Sequence, residues 1–268
     1  MHLLAFDFMR TAFVVGIVMG AVAPLVGLLL VERRMSLIGD GLGHLSFAGV
    51  GVGLVLGTEP VLSALVVSVL GALVIEWLRS SRLAGGDRAL ALLFYSGLAG
   101  GVVLVSSAGQ FNASINSYLF GSILTIDRHD LWVTLTLAAA IAAIVLVLWR
   151  PLTAVVIDEE GAWVTGVPVR LLNYLVAVLS AVTVAVSIRT VGVLLIGALM
   201  VLPVMAAGPM ARSLRTTAAI ACLLGAAVAA VGLTLAYYGN LAPGGTIVLT
   251  AAATYAVVLV GTAVGRRS

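Results

Sequence analysis

Apolar runs of roughly 20 residues recur from Thr11 almost to the end of the 268-residue chain, separated by short polar links. Coiled into a helix at about 1.5 Å per residue, such a run matches a bilayer hydrocarbon core of about 30 Å. Hydrocarbon offers no partner to backbone N–H and C=O groups, so only helices and closed barrels cross it. The runs are continuous rather than alternating, which excludes a barrel built from strands of about ten residues. Only 9% of residues are charged, where a soluble domain carries about 25%. The chain therefore reads as all-α, a polytopic membrane helical bundle with one transmembrane domain over 1–268.

The arginines give the runs a direction. All fourteen basic residues are Arg. Segments are expected at about 11–31, 37–56, 61–78, 89–107, 131–149, 171–188, 191–207 and 216–238, with a ninth ending at Arg266-Arg267. Alternating sides places Arg33/Arg34, Arg79–Arg88, Arg150–Arg170, Arg212/Arg215 and Arg266/Arg267 together, which by the positive-inside rule is the cytoplasmic face. Arg10, Arg128 and Arg189 fall on the other. The expectation is an external N-terminus, a cytoplasmic C-terminus and nine crossings, or eight if one segment is re-entrant. The candidate for re-entry is the short apolar piece near 117–126, too short to span. No short apolar stretch with a cleavage site opens the chain, so the first segment is expected to be retained. The basic residues mark loops rather than a nucleic-acid footprint. Cys222, the single cysteine, has no intrachain partner and reads as a small buried hydrophobe.

Against this background Arg33-Arg34-Met35-Ser36-Leu37-Ile38-Gly39-Asp40-Gly41-Leu42-Gly43-His44 stands out. Asp40 and His44, four residues apart, lie on one helical face. Ionisable groups inside a membrane are costly and read first as functional. Carboxylate and imidazole suit Zn, Mn and Fe(II), whereas thiolate or thioether would suggest Cu(I). Two ligands cannot close a structural zinc site, so water, backbone carbonyls or a second subunit must complete the shell. An incomplete site suits an ion in transit. Two plainer readings stand beside this one. Asp40 could complement the helix start and pair with Arg33 or Arg34, and His44 could bond a carbonyl of a neighbouring helix.

Gly39, Gly41 and Gly43 lack the strand context of a nucleotide fingerprint and read as close helix packing. No H-E-x-x-H supports an intramembrane protease. The acidic loop Asp158-Glu159-Glu160-Gly161-Ala162, with Gly166 beyond, is either an ordinary solvated loop or a short amphipathic helix docking on a cytoplasmic partner through Ala162 and Trp163. Pro203 and Pro209 would kink or end the seventh segment. Met200, Met205 and Met210 read as packing, and His2 and His129 receive no role.

The Arg33–His44 run, followed by Phe47-Ala48-Gly49-Val50, resembles the signature of zinc/manganese-type permease subunits of ABC transporters. Ser117–Leu124 is similar to that family's mid-chain segment and Glu160-Gly161-Ala162 with Gly166 to its ATPase-coupling loop. Val191–Leu195 and Leu202-Pro203 are similar to its late helices. The resemblance implies a homodimeric, multi-pass permease of the bacterial inner membrane. It implies a cytoplasmic ATP-binding subunit on the loop Asp158, Glu159, Glu160, Gly161, Ala162 and Gly166, and an extracytoplasmic metal-binding protein that delivers the ion. Asp40 and His44 would line the ion site. The chain would not itself be an enzyme, since it has no Walker motif and ATP would be hydrolysed by the partner. No permanent cofactor is expected, only the transported metal. Leu45-Ser46-Phe47-Ala48-Gly49 leans to zinc; manganese and ferrous iron are the nearest substitutes. Rival readings are a proton-coupled secondary transporter using Asp40 and His44 as a relay, and a permease for iron–siderophore or cobalamin complexes.

Overall fold

A computed structural model describes residues 7–81, 86–109, 113–121, 128–188, 191–193 and 195–265. The first half contains α1 (Asp7–Glu32), α2 (Ile38–Leu56), α3 (Pro60–Ser80), α4 (Gly86–Ser107), α5 (Ala113–Phe120) and α6 (Arg128–Val147). The second contains α7 (Trp149–Ile157), α8 (Glu159–Val164), α9 (Val169–Val186), α10 (Ile196–Ala207), α11 (Leu214–Gly239) and α12 (Pro243–Gly265). No strand occurs among the described residues. Among the described residues eight helices are long and apolar enough to cross a membrane: α1, α2, α3, α4, α6, α9, α11 and α12. Part of the expected half-helix, from Ser122 onward, lies outside the described residues, as do His2, Arg82, Arg189, Arg266 and Arg267.

The seventh expected segment is not one continuous crossing. Only Ile196–Ala207 is α-helical, 12 residues, which is about 18 Å against the ~30 Å needed. Before it the backbone turns at Gly192, with φ of +87°. A side chain is excluded there, because a Cβ would stand 2.4 Å from the Leu119 carbonyl oxygen and 2.5 Å from the Gly121 nitrogen. Val193 N–H donates to the Tyr118 carbonyl at 2.9 Å. Irregular backbone at membrane depth is tolerated where protein covers it, and the end of α5 does so here.

Local sequence sets the other boundaries. Gly57 closes α2 in the left-handed region and Glu59 caps α3, accepting from Leu62 N–H at 3.0 Å, with Pro60 at the first helical position. Pro151 is tolerated in the first turn of α7, which departs from α6 at Leu148. The polar stretch after Arg150 thus begins as a helix that buries Leu152 and Val155.

α2 is the most enclosed crossing, with 72% of its span buried, and α12 the least, with 11%. Small residues permit that enclosure. Gly97 of α4 meets the backbone of His44 and Leu45, Gly101 meets Phe47, and Gly49 sits against Ala64 of α3. On the far side α1 and α11 touch backbone to backbone through Gly20 and Gly225.

Candidate functional site

Asp40 lies in the first turn of α2 but caps nothing, since no side-chain bond closes that terminus. Among the described residues it has neither an ion pair with Arg33 or Arg34 nor a hydrogen bond. Its carboxylate lies directly against Gly197 of α10, where a Cβ would fall 2.0 Å from Oδ1. Gly39, one residue earlier, would place a Cβ 3.1 Å from the same Gly197 Cα. Glycine on both helices brings α2 and α10 within backbone distance at this level.

His44 stands one turn further in. Its ring packs edge-on to Phe94 of α4, with centroids 4.1 Å apart and planes at 65°. Nδ1 is buried and has no hydrogen-bond partner. Of the plainer readings, Asp40 does lie in the acidic first turn of α2, but among the described residues the carboxylate is not tied to an arginine and the imidazole makes no bond to a neighbouring carbonyl. Beside it, the Val193 carbonyl is aimed at Gly43, 2.5 Å from the position of a Cβ there. Two helices and a broken segment thus converge on a carboxylate and an imidazole that make no hydrogen bond among the described residues. Among the described residues no group of three or more His, Cys, Asp or Glu side chains is placed to hold a metal.

The acidic loop forms a six-residue helix, α8, with defined ends. Asp158 is its N-cap, accepting from Gly161 N–H at 2.9 Å. Gly161 is fixed by that cap, since a Cβ would press within 2.4 Å of Asp158 Oδ2. At the other end Gly166 is left-handed, φ +83°. The Val167 and Gly166 N–H groups donate to Ala162 and Trp163 at 3.0 Å each, the Schellman pattern. Ala162 is buried, so it faces the bundle rather than outward as expected. Trp163 and Val164 are 72% and 78% exposed, and Ile157 and Glu160 flank them on the surface.

Glu159, half exposed, leans toward α9 and α3. Its Oε1 accepts from Asn173 Nδ2 of α9 at 2.8 Å and lies 3.7 Å from Arg79 Nη2 of α3. Arg79 is forked onto Glu76, Nε to Oε2 at 2.9 Å and Nη2 to Oε1 at 2.7 Å. Arg33, in the link between α1 and α2, lies within electrostatic range of this cluster, and its Nη2 is buried without an acceptor among the described residues. Burial holds the Arg33 guanidinium below its ordinary pKa; nearby Arg79 adds to this, while Glu159 and Glu76 oppose it. A cleft of about 760 Å³ opens beside the cluster, lined in part by Glu76, Arg79, Glu160, Trp163 and Asn173. Sequence reasoning missed Glu76 and Asn173 and took Arg79 for a loop residue. The available signal was Glu-x-x-Arg at the end of an apolar run, a pair set to meet on one helix face.

Known proteins were compared with the chain. The model of the ABC 3 transport family matches residues 5–262. A probable metal transport system membrane protein of Treponema pallidum (strain Nichols) is 35% identical over 264 residues, covering 98% of this chain and 99% of that protein. The manganese import system permease protein ScaB of Streptococcus parasanguinis is 32% identical over 252 residues, covering 94% of this chain and 90% of ScaB. A solved structure of PsaBC from Streptococcus pneumoniae in complex with Fab superposes with a TM-score of 0.86 at 31% identity, covering 96% of this chain and 92% of that one.

Proposed function

Because the chain belongs to the ABC 3 transport family, we propose that it is the membrane-spanning permease of an ATP-driven importer of divalent metal ions, with Asp40 and His44 lining the ion path. The observation that carries the site assignment is the pair itself: a carboxylate and an imidazole in the most enclosed helix, neither hydrogen-bonded among the described residues. A cation entering there supplies what the chain withholds. Asp40 offers a hard anionic oxygen and His44 a neutral nitrogen, a donor set that suits manganese, zinc and ferrous iron.

Manganese takes first place among these. The zinc lean rested on Leu45–Gly49 alone, whereas ScaB, similar over 94% of the chain, is named for manganese import. With two side-chain ligands per copy, the remaining positions fall to water, the Val193 carbonyl or a second copy in a homodimer. Weak, shared coordination lets the ion leave, as transport requires.

Coupling to ATP is assigned to α8. Trp163 and Val164 form an exposed apolar ridge beside acidic Glu160, a combination that fits a cytoplasmic ATP-binding subunit; in this reading the α8 end lies inside the cell. An extracytoplasmic metal-binding protein would deliver the ion to the opposite end. The test is uptake into vesicles holding the permease with its ATPase, manganese and zinc in competition. Uptake should need ATP, favour manganese, survive collapse of the proton gradient and vanish in D40A/H44A while the complex still assembles. Normal uptake by that double variant would end the site assignment.

A further inference from the structure

A groove of about 500 Å³ lies on the flank of the bundle, away from Asp40 and His44. One wall is a single face of α11: Ala218, Ala219 and Cys222 follow Arg215 at three, four and seven residues. Leu25 of α1, with Leu146 and Trp149 at the α6–α7 junction, completes the lining. Leu146 is 64% exposed, and Ala219 and Arg215 are exposed too, so the groove opens outward rather than into the core. Its walls are apolar apart from Arg215, the one charged residue that lines it.

The groove has a wet end and a dry end. Counting 26 residues at about 1.5 Å each, α11 is longer than the ~30 Å hydrocarbon core. Tyr237 and Tyr238 mark one interface, and the first turn, with Arg215, falls at the headgroups of the other. Cys222 is about 10 Å deeper, among acyl chains. Trp149 stands where the α6 crossing ends, the level at which indole rings gather.

The wet end is positive and the chain does not neutralise it. Arg215 occupies the first turn of α11, where the helix already carries partial positive charge, and that turn holds no acidic residue. Arg212 lies three residues before it and Arg150 adjoins Trp149, both exposed. No Asp or Glu occurs between 131 and 157, and none follows Glu160. Glu32, at the end of α1, makes no ion pair with Arg215 among the described residues.

We propose that this groove binds one anionic phospholipid, with its phosphate on Arg215, its glycerol beside Trp149 and an acyl chain running along Ala219 and Cys222. The occupant must bring fixed negative charge and a long apolar tail together. A zwitterionic lipid brings the tail but turns an ammonium toward the arginines, and a free phosphate brings charge without a tail. Basic pockets between crossings are the usual seats of anionic headgroups. The site stands whether or not the importer reading does; only its assignment to the cytoplasmic leaflet depends on that reading.

The experiment takes the full-length chain, purified in detergent, and offers it phosphatidylglycerol and phosphatidylcholine of matched chains. Lipid retained per chain is counted by native mass spectrometry. The parent should hold phosphatidylglycerol about tenfold more tightly, a difference of ~1.4 kcal/mol. R215Q should cut that preference to about twofold and R215K should keep most of it. A219F, which fills the trough, should loosen both lipids alike. A second readout survives even if R215Q proves unstable. Phosphatidylglycerol with brominated chains should quench a saturable part of the tryptophan fluorescence, and that part should be missing in W149F. Excess glycerol phosphate should leave the quenching unchanged. Equal retention of the two lipids by the parent, an unaltered preference in R215Q, quenching undiminished in W149F, or displacement by glycerol phosphate would each overturn the proposal. No arm uses metal or ATP, so a failure here is distinct from a failure of uptake.

Discussion

Asp40 and His44 are half-buried and make no side-chain hydrogen bond among the described residues, whereas Glu76 and Arg79, reached by the same kind of helix, are bound to each other twice over. Glu76 is more deeply buried than His44, yet it is the satisfied one. Burial alone therefore does not decide which polar group is left bare. A paired ion costs little beyond its desolvation, while a bare buried group forfeits about 1–3 kcal/mol. A chain that leaves the His44 Nδ1 bare beside an unpaired carboxylate gives up stability there. The Glu76–Arg79 pair holds structure; in the proposed reading the Asp40–His44 pair waits for a ligand.

That contrast can be broken most decisively at α2. D40A/H44A should abolish metal uptake and yet leave the thermal unfolding midpoint unchanged or slightly raised, since no internal bond is lost. A midpoint several degrees lower in detergent-purified protein would mean that the pair holds structure after all. Next in size is E76A, which strands Arg79 in a largely buried position. It should destabilise the fold by about 3 kcal/mol, read as a clear fall in the unfolding midpoint. G197A tests whether the carboxylate needs the bare surface of α10. A methyl 2.0 Å from Asp40 Oδ1 forces one of them to move, so uptake should fall roughly tenfold with a stability loss of about 1–3 kcal/mol. The smallest effect should come from G166A. A left-handed Ala costs about 1 kcal/mol, and since a Cβ there meets nothing within 4 Å, the loss should appear as weaker ATPase binding, with metal binding untouched.

Much of this was legible before any coordinates. The spans followed from the length of the apolar runs. Glu59-Pro60 and the Asp158…Gly166 pair announced a helix start and a bounded short helix, because capping is local chemistry written in adjacent residues. Asp40 and His44 were legible as a pair because four-residue spacing fixes their common face. The break before α10 was not. Residues 191–207 are as apolar as any crossing, and what stops the helix is a tertiary contact, Gly192 against the end of α5, whose only trace in the sequence is one glycine. Nor was the cluster at α8 visible, since Arg33, Glu76, Glu159 and Asn173 come from four separate parts of the chain. Their attraction depends on how α3, α8 and α9 pack, which no spacing rule reports. The contact of Glu159 with Asn173 belongs to the same class.

If Asp40 lines the ion path as proposed, the broken crossing bears on what becomes of that site once its ion has gone. A helix that starts partway through the bundle brings its N-terminal end there, and that end carries a partial positive charge of roughly half a unit from its unpaired N–H groups. Gly197 is the second residue of α10, so the Asp40 carboxylate rests on that pole. An uninterrupted helix would present mid-helix backbone at the same level, with its dipoles already matched. The vacated carboxylate is thus left facing a fixed electrostatic counterweight that no cation has to provide. Such a resting place weakens the grip on each passenger by the same amount that it steadies the empty seat.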